Sequence, residues 1–108
     1  MKLDDAAAHL EALGNPTRLK IYRALVRAGD AGMPVGRLQD KLKIAPSTLS
    51  HHLEKLKNER LVKVRRNKKF LWYTANTEAL QDLLGFLFSE CCTRTNAVHP
   101  ESIIRLCK

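Results

Sequence analysis

The spacing of apolar residues changes twice along the chain, and this constrains the fold more than any other feature. Up to about Arg60, apolar residues recur every three or four positions, which is typical of helices. Between Val62 and Tyr73 they alternate with charged or polar residues, which indicates a two-stranded hairpin with its turn near Arg66-Asn67-Lys68. Beyond Asn76 the helical spacing returns. The pattern predicts a mainly helical fold with one small β-hairpin.

Capping residues divide the helical regions into five predicted helices. Asn15-Pro16 begins the second helix, because Asn is a strong N-cap and Pro fits the first helical position. We expect Asp4 or Asp5 to cap the first helix and Asn76 or Thr77 to cap the fifth. The predicted spans are 5–13, 16–28, 34–42 opened by Pro34, 46–60 opened by Pro46, and 77 onward to the Cys91–Cys92 pair.

Each predicted helix carries an apolar stripe that we expect to face the core. In the fourth helix the stripe is Leu49, Leu53 and Leu56, at positions i, i+4 and i+7. The other stripes are Ala6, Leu10 and Leu13 in the first helix; Leu19, Tyr22, Ala24, Leu25 and Val26 in the second; Val35, Leu38 and Leu42 in the third; and Leu80, Leu83, Leu84, Leu87 and Phe88 in the fifth.

The charge balance indicates a polyanionic partner. The 108 residues suffice for one domain, and their formal net charge is +8. Such a surplus also occurs in basic proteins that bind no polyanion, but five of the seven residues in 63–69 are Lys or Arg, and this clustering favours nucleic acid. No apolar run approaches the roughly 18 residues of a membrane span, and no apolar secretory segment follows Met1, so we expect a cytoplasmic protein.

The order of helix, short turn, helix and basic hairpin indicates a winged helix-turn-helix. Because the leucine stripe of the fourth helix faces the core, small polar and basic side chains lie on its outer side, where they suit base edges in the major groove of double-stranded DNA. These residues are Ser47, Thr48, Ser50, His51 and Lys55. The hairpin is predicted to contact the sugar-phosphate backbone or a minor groove through Lys63, Arg65, Arg66, Lys68 and Lys69.

Structural roles remain open for several of these residues. Ser47 and Thr48 are also suited to capping the fourth helix, and a basic hairpin can be a charged edge that prevents aggregation. His51 faces outward, toward either DNA or solvent. His52 lies three residues after Leu49, and we expect a structural histidine at the edge of the core.

Four segments of the chain together resemble the ArsR/SmtB family of metal- and metalloid-responsive repressors. They are residues 13–19, which read Leu-Gly-Asn-Pro-Thr-Arg-Leu; residues 47–56, which read Ser-Thr-Leu-Ser-His-His-Leu-Glu-Lys-Leu; Leu61-Val62; and the basic wing through Trp72-Tyr73. The resemblance implies a homodimer joined through the first and fifth helices, with two DNA-reading units on a palindromic operator. It also implies repression without ligand and release when ligand binds. We assign residues 1–92 to this DNA-binding and dimerisation domain and residues 93–108 to a C-terminal tail.

The resemblance also limits which kind of inducer the protein can bind. Family sites that use Cys-x-Cys on the third helix, or Asp and His on the fifth, lack their ligands here, because residues 35–42 contain no thiol and the fifth helix contains no His. A zinc site therefore lacks ligands. The remaining candidates are Cys91, Cys92 and Cys107, an all-thiol set that suits trivalent arsenic or antimony.

The end of the predicted fifth helix, Glu90-Cys91-Cys92, looks like that of arsenite-responsive family members, which carry a third cysteine nearby. In this chain 14 residues separate Cys92 from Cys107, which leaves open whether the third thiolate comes from the same subunit or from its partner. The resemblance thus implies As(III) or Sb(III) as the inducer and no organic cofactor.

Other roles for the cysteines and for the fold remain open. A free Cys often packs as a small apolar residue. Cys91 or Cys92 paired with Cys107 would instead suit a redox or persulfide sensor on the same fold. A third alternative is a winged helix that contacts protein or acts as a small thiol enzyme. The sequence has no Cys-x-x-Cys, no glycine-rich phosphate loop and no evident nucleophile–base pair, so we expect no enzyme.

Overall fold

The computed structural model describes residues 1–89 and has the predicted mainly helical winged helix-turn-helix fold. Its helices are α1 (Leu3–Leu13), α2 (Pro16–Ala28), α3 (Val35–Leu42), α4 (Pro46–Asn58) and α5 (Thr77–Phe88). Its strands are β1 (Met33–Pro34), β2 (Val62–Asn67) and β3 (Phe70–Ala75), and a short 3₁₀ turn covers Gly29–Ala31. The predicted extension of α5 to Cys91–Cys92 lies outside the described residues. Within the described residues, no helix is long and apolar enough to cross a membrane.

Two of the predicted helix caps are confirmed. The Asn15 side-chain oxygen accepts hydrogen bonds from the backbone N–H groups of Thr17 and Arg18, at 2.9 and 3.1 Å. The Asn76 side chain accepts a hydrogen bond from the N–H of Ala79 at 3.3 Å and so caps α5. Both interactions satisfy donors that a helix N-terminus otherwise leaves unpaired.

The prediction for the start of α1 was wrong. The helix begins two residues before Asp5, with Lys2 at the N-cap and no side-chain capping bond. Asp4 and Asp5 lie within its first turn, where a carboxylate still interacts favourably with the positive end of the helix dipole.

The sheet has three strands, and the two-stranded prediction missed β1. The strand order is β1-β3-β2, and both pairings are antiparallel. Pro34, predicted to open α3, instead pairs with Trp72 in β1, and α3 begins one residue later. Proline is tolerated there because β1 is an edge strand. A two-residue strand that contains proline leaves no alternating pattern to detect.

A glycine is required where the chain enters β1. Gly32 has a φ of +74°, and a Cβ built on it would lie 2.5 Å from the carbonyl oxygen of Tyr73. Both the backbone conformation and this close approach to β3 exclude a side chain.

The hairpin turn lies one residue later than predicted. Asn67 is the last residue of β2 and pairs with Phe70, so the loop consists of Lys68 and Lys69. Lys68, and not Asn67, has the positive φ of +60°.

The core forms where α2, α3, α4 and the sheet meet. The predicted α4 stripe of Leu49, Leu53 and Leu56 is buried there together with Ile21 and Leu25 of α2. Some predicted core residues are instead exposed in the single chain: Leu10 (45%), Leu19 (42%), Val26 (40%), Leu84 (39%) and Leu87 (52%). The physical reason is that each apolar stripe is wider than the strip of helix surface that the neighbouring elements cover.

Candidate nucleic-acid interface

The outer face of α4 presents hydrogen-bonding groups to solvent. Four of the predicted DNA-reading residues are exposed: Ser47, Thr48, Ser50 and His51. The helix begins at Pro46 with Ala45 at its N-cap and makes no side-chain capping bond. The structure thus does not support a capping role for Ser47 and Thr48. Their hydroxyl groups lie in the first turn, where free backbone N–H groups also favour an anion such as phosphate.

Lys55 differs from the other predicted contacts on α4. Its Nζ lies 3.0 Å from Oε2 of Glu11, so the side chain links α4 to α1. About a third of the Lys55 side chain and nearly two thirds of the Glu11 side chain remain exposed, and solvent therefore screens the pair. A direct DNA contact by Lys55 stays a prediction and would compete with this ion pair.

His52 is positioned at the junction of α2 and α4, in agreement with a structural role. Nη1 of Arg18 lies 3.5 Å from Nδ1 of His52, and Nε of Arg18 donates a hydrogen bond to the carbonyl oxygen of Ala12 at 2.7 Å. Partial burial, the Arg18 guanidinium and the neighbouring His51 lower the pKa of His52 below its usual 6.5. The neutral imidazole is therefore favoured at this junction.

The strand register distributes the cations of the wing, defined as residues 62–75, over both faces of β2 and its tip, with Arg66 on the face opposite Arg65. Lys63 and Arg65 share one face of β2, while Lys68 and Lys69 form the turn. All five predicted wing cations, Lys63, Arg65, Arg66, Lys68 and Lys69, are exposed. Such a surface can contact several phosphates without reading their sequence.

Arg65 makes two contacts that sequence reasoning missed. Its Nη2 donates a hydrogen bond to the carbonyl oxygen of Ala31 at 3.4 Å, and its guanidinium carbon lies 5.6 Å from the centroid of the Trp72 ring. The sequence did contain a signal for the second contact. Trp72 lies in the second strand of the predicted hairpin, and an aromatic ring can hold a cation that lies opposite it on the neighbouring strand. These contacts orient Arg65 in the middle of β2.

Helix α4 and the wing belong to one packed unit. The N–H of Leu61 donates a hydrogen bond to the carbonyl oxygen of Leu56 at 2.9 Å and so closes the end of α4 against the start of β2. Leu56, Leu61 and Val62 are all buried in the core. The structure thereby places the polar face of α4 and the basic wing on the same rigid scaffold.

The predicted thiol ligands Cys91, Cys92 and Cys107 lie outside the described residues. Within residues 1–89, no group of three His, Cys, Asp or Glu side chains is arranged to hold a metal ion. The structure thus leaves the ligand set untested.

The comparisons with known proteins agree with this geometry. A family model described as a helix-turn-helix domain matches residues 13–65, which span α2 to the first half of the wing. The nodulation protein NolR of Rhizobium meliloti is 36% identical over 100 residues, which cover 93% of this chain and 80% of NolR. The transcriptional repressor SdpR of Bacillus subtilis is 33% identical over 79 residues, which cover 73% of this chain and 84% of SdpR.

A solved structure shows the same fold. An ArsR-like transcriptional regulator from Rhodococcus sp. RHA1 superposes with a TM-score of 0.72 at 22% identity, and the match covers 96% of this chain and 88% of that one.

Proposed function

The chain belongs to the ArsR/SmtB family of winged helix-turn-helix transcription regulators, and we propose that it is a homodimeric repressor released from its operator by trivalent arsenic or antimony bound to C-terminal cysteines. Its relatives are DNA-binding regulators and not enzymes. The single observation that carries the DNA-binding role is the exposed polar face of α4 fixed beside a wing with five exposed cations.

The proposed dimer uses α1 and α5. Leu3 and Leu10 lie seven residues apart in α1 and are 69% and 45% exposed, and Leu84 and Leu87 of α5 are also exposed. Residues seven apart in a helix share one face, and α1 packs beside α5. A second copy that covered these four side chains would remove their exposed apolar surface from water. The dimer would also present two copies of α4 to a palindromic operator.

The proposed inducer site consists of Cys91, Cys92 and Cys107. Three thiolates are soft ligands and suit a thiophilic trivalent centre, which needs no imidazole or carboxylate. Cys91 and Cys92 follow closely after α5, an element of the proposed dimer interface. Ligand capture there would favour one arrangement of the two subunits over another, and only such differential binding can release DNA.

The test is fluorescence anisotropy of the reduced protein on a labelled duplex from its own upstream region, titrated with arsenite. We expect tight binding that is lost at near-stoichiometric arsenite. The variant C91S/C92S should bind the duplex as the wild type does and fail to respond to arsenite. A matched control, S89A, changes an exposed hydroxyl-bearing residue close to the cysteines and should keep both the DNA affinity and the arsenite response.

Three outcomes separate the parts of the proposal. An arsenite response that persists in C91S/C92S would contradict the site assignment. Tight binding that arsenite leaves unchanged, but oxidant or persulfide abolishes, would replace the metalloid inducer with a thiol redox signal. Absence of specific duplex binding would contradict the repressor role itself.

A further inference from the structure

One exposed apolar feature is not explained by the proposed dimer or by the wing. Of the nine exposed large hydrophobic residues within residues 1–89, five lie on α1, on α5 or at the N-terminus, and two lie at the tip of the wing. The other two, Leu19 and Val26, lie on α2. They are seven residues apart and share one helix face, so α2 presents an apolar strip to solvent.

Leu19, at one end of this strip, lines a groove between α2 and the end of α3. The groove has a volume of 350 Å³, and its apolar lining consists of Pro16, Leu19, Ala24 and Leu42. Isolated apolar residues are common on protein surfaces, but apolar residues grouped around a concave site are typical of a docking surface.

The remaining lining of the groove is entirely cationic. Lys20, Arg23, Arg27 and Lys41 surround the apolar floor, no acidic residue lines it, and within the described residues none of the four cations forms an ion pair. Lys20 and Arg27 are seven residues apart, so the cations of α2 extend over about 10 Å of the helix. This spacing matches several carboxylates distributed along a peptide better than a single small anion.

The groove and the predicted DNA-reading surface share no residue. Arg23 lies two residues from both Ile21 and Leu25, and at 100° per residue it points away from these two core residues. The leucine stripe of α4 packs into the same core as Ile21 and Leu25. Because none of the residues that line the groove is a predicted DNA contact, DNA bound by α4 and the wing would leave these side chains available.

We propose that the groove between α2 and α3 docks an acidic segment of another protein that carries at least one leucine-like side chain, and that it does so while the repressor is bound to DNA. The apolar side chain would fill the floor beside Leu19, and the flanking carboxylates would meet Arg23 and Arg27. Phosphates offer the floor no apolar group, which favours a protein segment over nucleic acid. Only the simultaneous binding rests on the proposed DNA-binding function.

The probe is a short fluorescein-labelled peptide in which glutamates flank two leucines. Its anisotropy is measured with the free protein and with the protein saturated by an unlabelled operator duplex. We expect binding to both forms with similar affinity. A second peptide with serines in place of the leucines should bind more weakly, because it cannot fill the apolar floor.

Two variants test the groove. R23E/R27E should weaken peptide binding by at least about tenfold, since two cation–carboxylate contacts are lost and two repulsions replace them. The matched control K2E/K57E makes the same change in net charge at exposed positions outside the groove and should alter peptide affinity less than about twofold. L19S keeps all cations, and it should abolish the preference for the leucine peptide even if R23E/R27E folds poorly.

The following results would overturn the proposal. Equal losses in R23E/R27E and K2E/K57E would show attraction by net charge alone. Displacement of the peptide by the duplex, together with a flatter salt dependence of DNA binding in R23E/R27E than in K2E/K57E, would show that the groove contacts DNA. Failure of the wild type to bind the leucine peptide would overturn the docking groove itself, whereas failure to bind any duplex would contradict the proposed repressor function and only the simultaneous binding that rests on it.

Discussion

Arg65 and Trp72 face each other across strands β2 and β3, with the Arg65 guanidinium carbon 5.6 Å from the centroid of the Trp72 ring. The same guanidinium donates a hydrogen bond to the carbonyl oxygen of Ala31 just before β1. One cation in the middle of β2 thus contacts both the paired strand β3 and the 3₁₀ turn that precedes β1. An arginine oriented in this way loses less side-chain entropy when it meets a phosphate.

The wing is expected to supply part of the salt-dependent DNA affinity. Replacing Arg65 and Arg66 by Ala should weaken binding to all duplexes and reduce the slope of log affinity against log salt by about 1.8, which is roughly 0.9 for each lost phosphate contact. The slope is measured by anisotropy between low and moderate salt. R23A/R27A removes the same charge from α2 and should leave the slope nearly unchanged. An unchanged slope in the wing variant would contradict the role assigned to the wing.

His51 is expected to contribute to sequence recognition. H51A should reduce the ratio of specific to non-specific DNA affinity by about fivefold or more. This corresponds to about 1 kcal/mol, which is roughly the discrimination that one base-edge contact carries. The ratio comes from competition between an operator duplex and a scrambled duplex. N58A changes an exposed residue in the last turn of α4 and should leave the ratio unaltered. Equal ratios for H51A and the wild type would indicate that His51 faces only solvent.

Gly32 is expected to be essential for the β1–β3 pairing. G32A places a methyl group 2.5 Å from the Tyr73 carbonyl oxygen at a φ of +74°, so the free energy of unfolding should fall by about 2 kcal/mol or more. Urea unfolding followed by circular dichroism measures the loss. G36A lies in α3 with no atom within 4 Å of the added Cβ and should be neutral or stabilising by up to about 1 kcal/mol. Similar stabilities for the two variants would contradict this account.

The folded protein is expected to be at least as stable when the hydroxyl of Tyr22 is removed. The side chain is buried, burial raises its pKa, and within residues 1–89 its oxygen has no hydrogen-bond partner. An unsatisfied buried hydroxyl costs about 1–3 kcal/mol, so Y22F should unfold at equal or higher urea concentration than the wild type. Y73F, at a half-buried tyrosine, should change stability by less than about 0.5 kcal/mol. A clear loss of stability in Y22F would reveal a partner for the hydroxyl.

The protein is expected to lose stability at pH values below about 6.5, the usual pKa of histidine, because of His52. Its folded pKa is below 6.5, so the unfolded chain binds the additional proton first as the pH falls. The contribution of His52 is therefore complete above about pH 6.5 and decreases as the pH drops toward the folded pKa. H52Q should flatten the pH dependence of unfolding between about pH 7.5 and 5, whereas H51Q, at an exposed position, should retain most of it. A wild-type slope in H52Q would contradict the assignment.

Sequence reasoning predicted the features that depend on neighbouring residues. The caps at Asn15 and Asn76 and the buried stripe at Leu49, Leu53 and Leu56 follow from preferences within one or two helical turns. The exposed cations of the wing follow likewise from alternation along a single strand. Their order along the chain was sufficient for the winged helix-turn-helix fold.

The exposure of Leu10, Leu19 and Leu87 was not predictable in this way. An apolar periodicity shows which side of a helix avoids water but not whether the chain itself covers that side. In the structure the chain covers only part of each side chain, and Leu10, Leu19 and Leu87 remain 45%, 42% and 52% exposed. Those faces support the proposed dimer through α1 and α5 and the proposed docking groove on α2.

The sequence by itself therefore determined the fold class, the helices and the DNA-reading elements, because local periodicity and capping act over a few residues. Only the tertiary structure decided the pairing of Lys55 with Glu11, the contacts of Arg65 with Trp72 and Ala31, and the addition of β1 to the sheet. Apart from the contact between Arg65 and Trp72 within the hairpin, each of these relationships joins elements that are distant in the chain. Their partners are chosen by how the helices and strands pack around the common core, which no local pattern records.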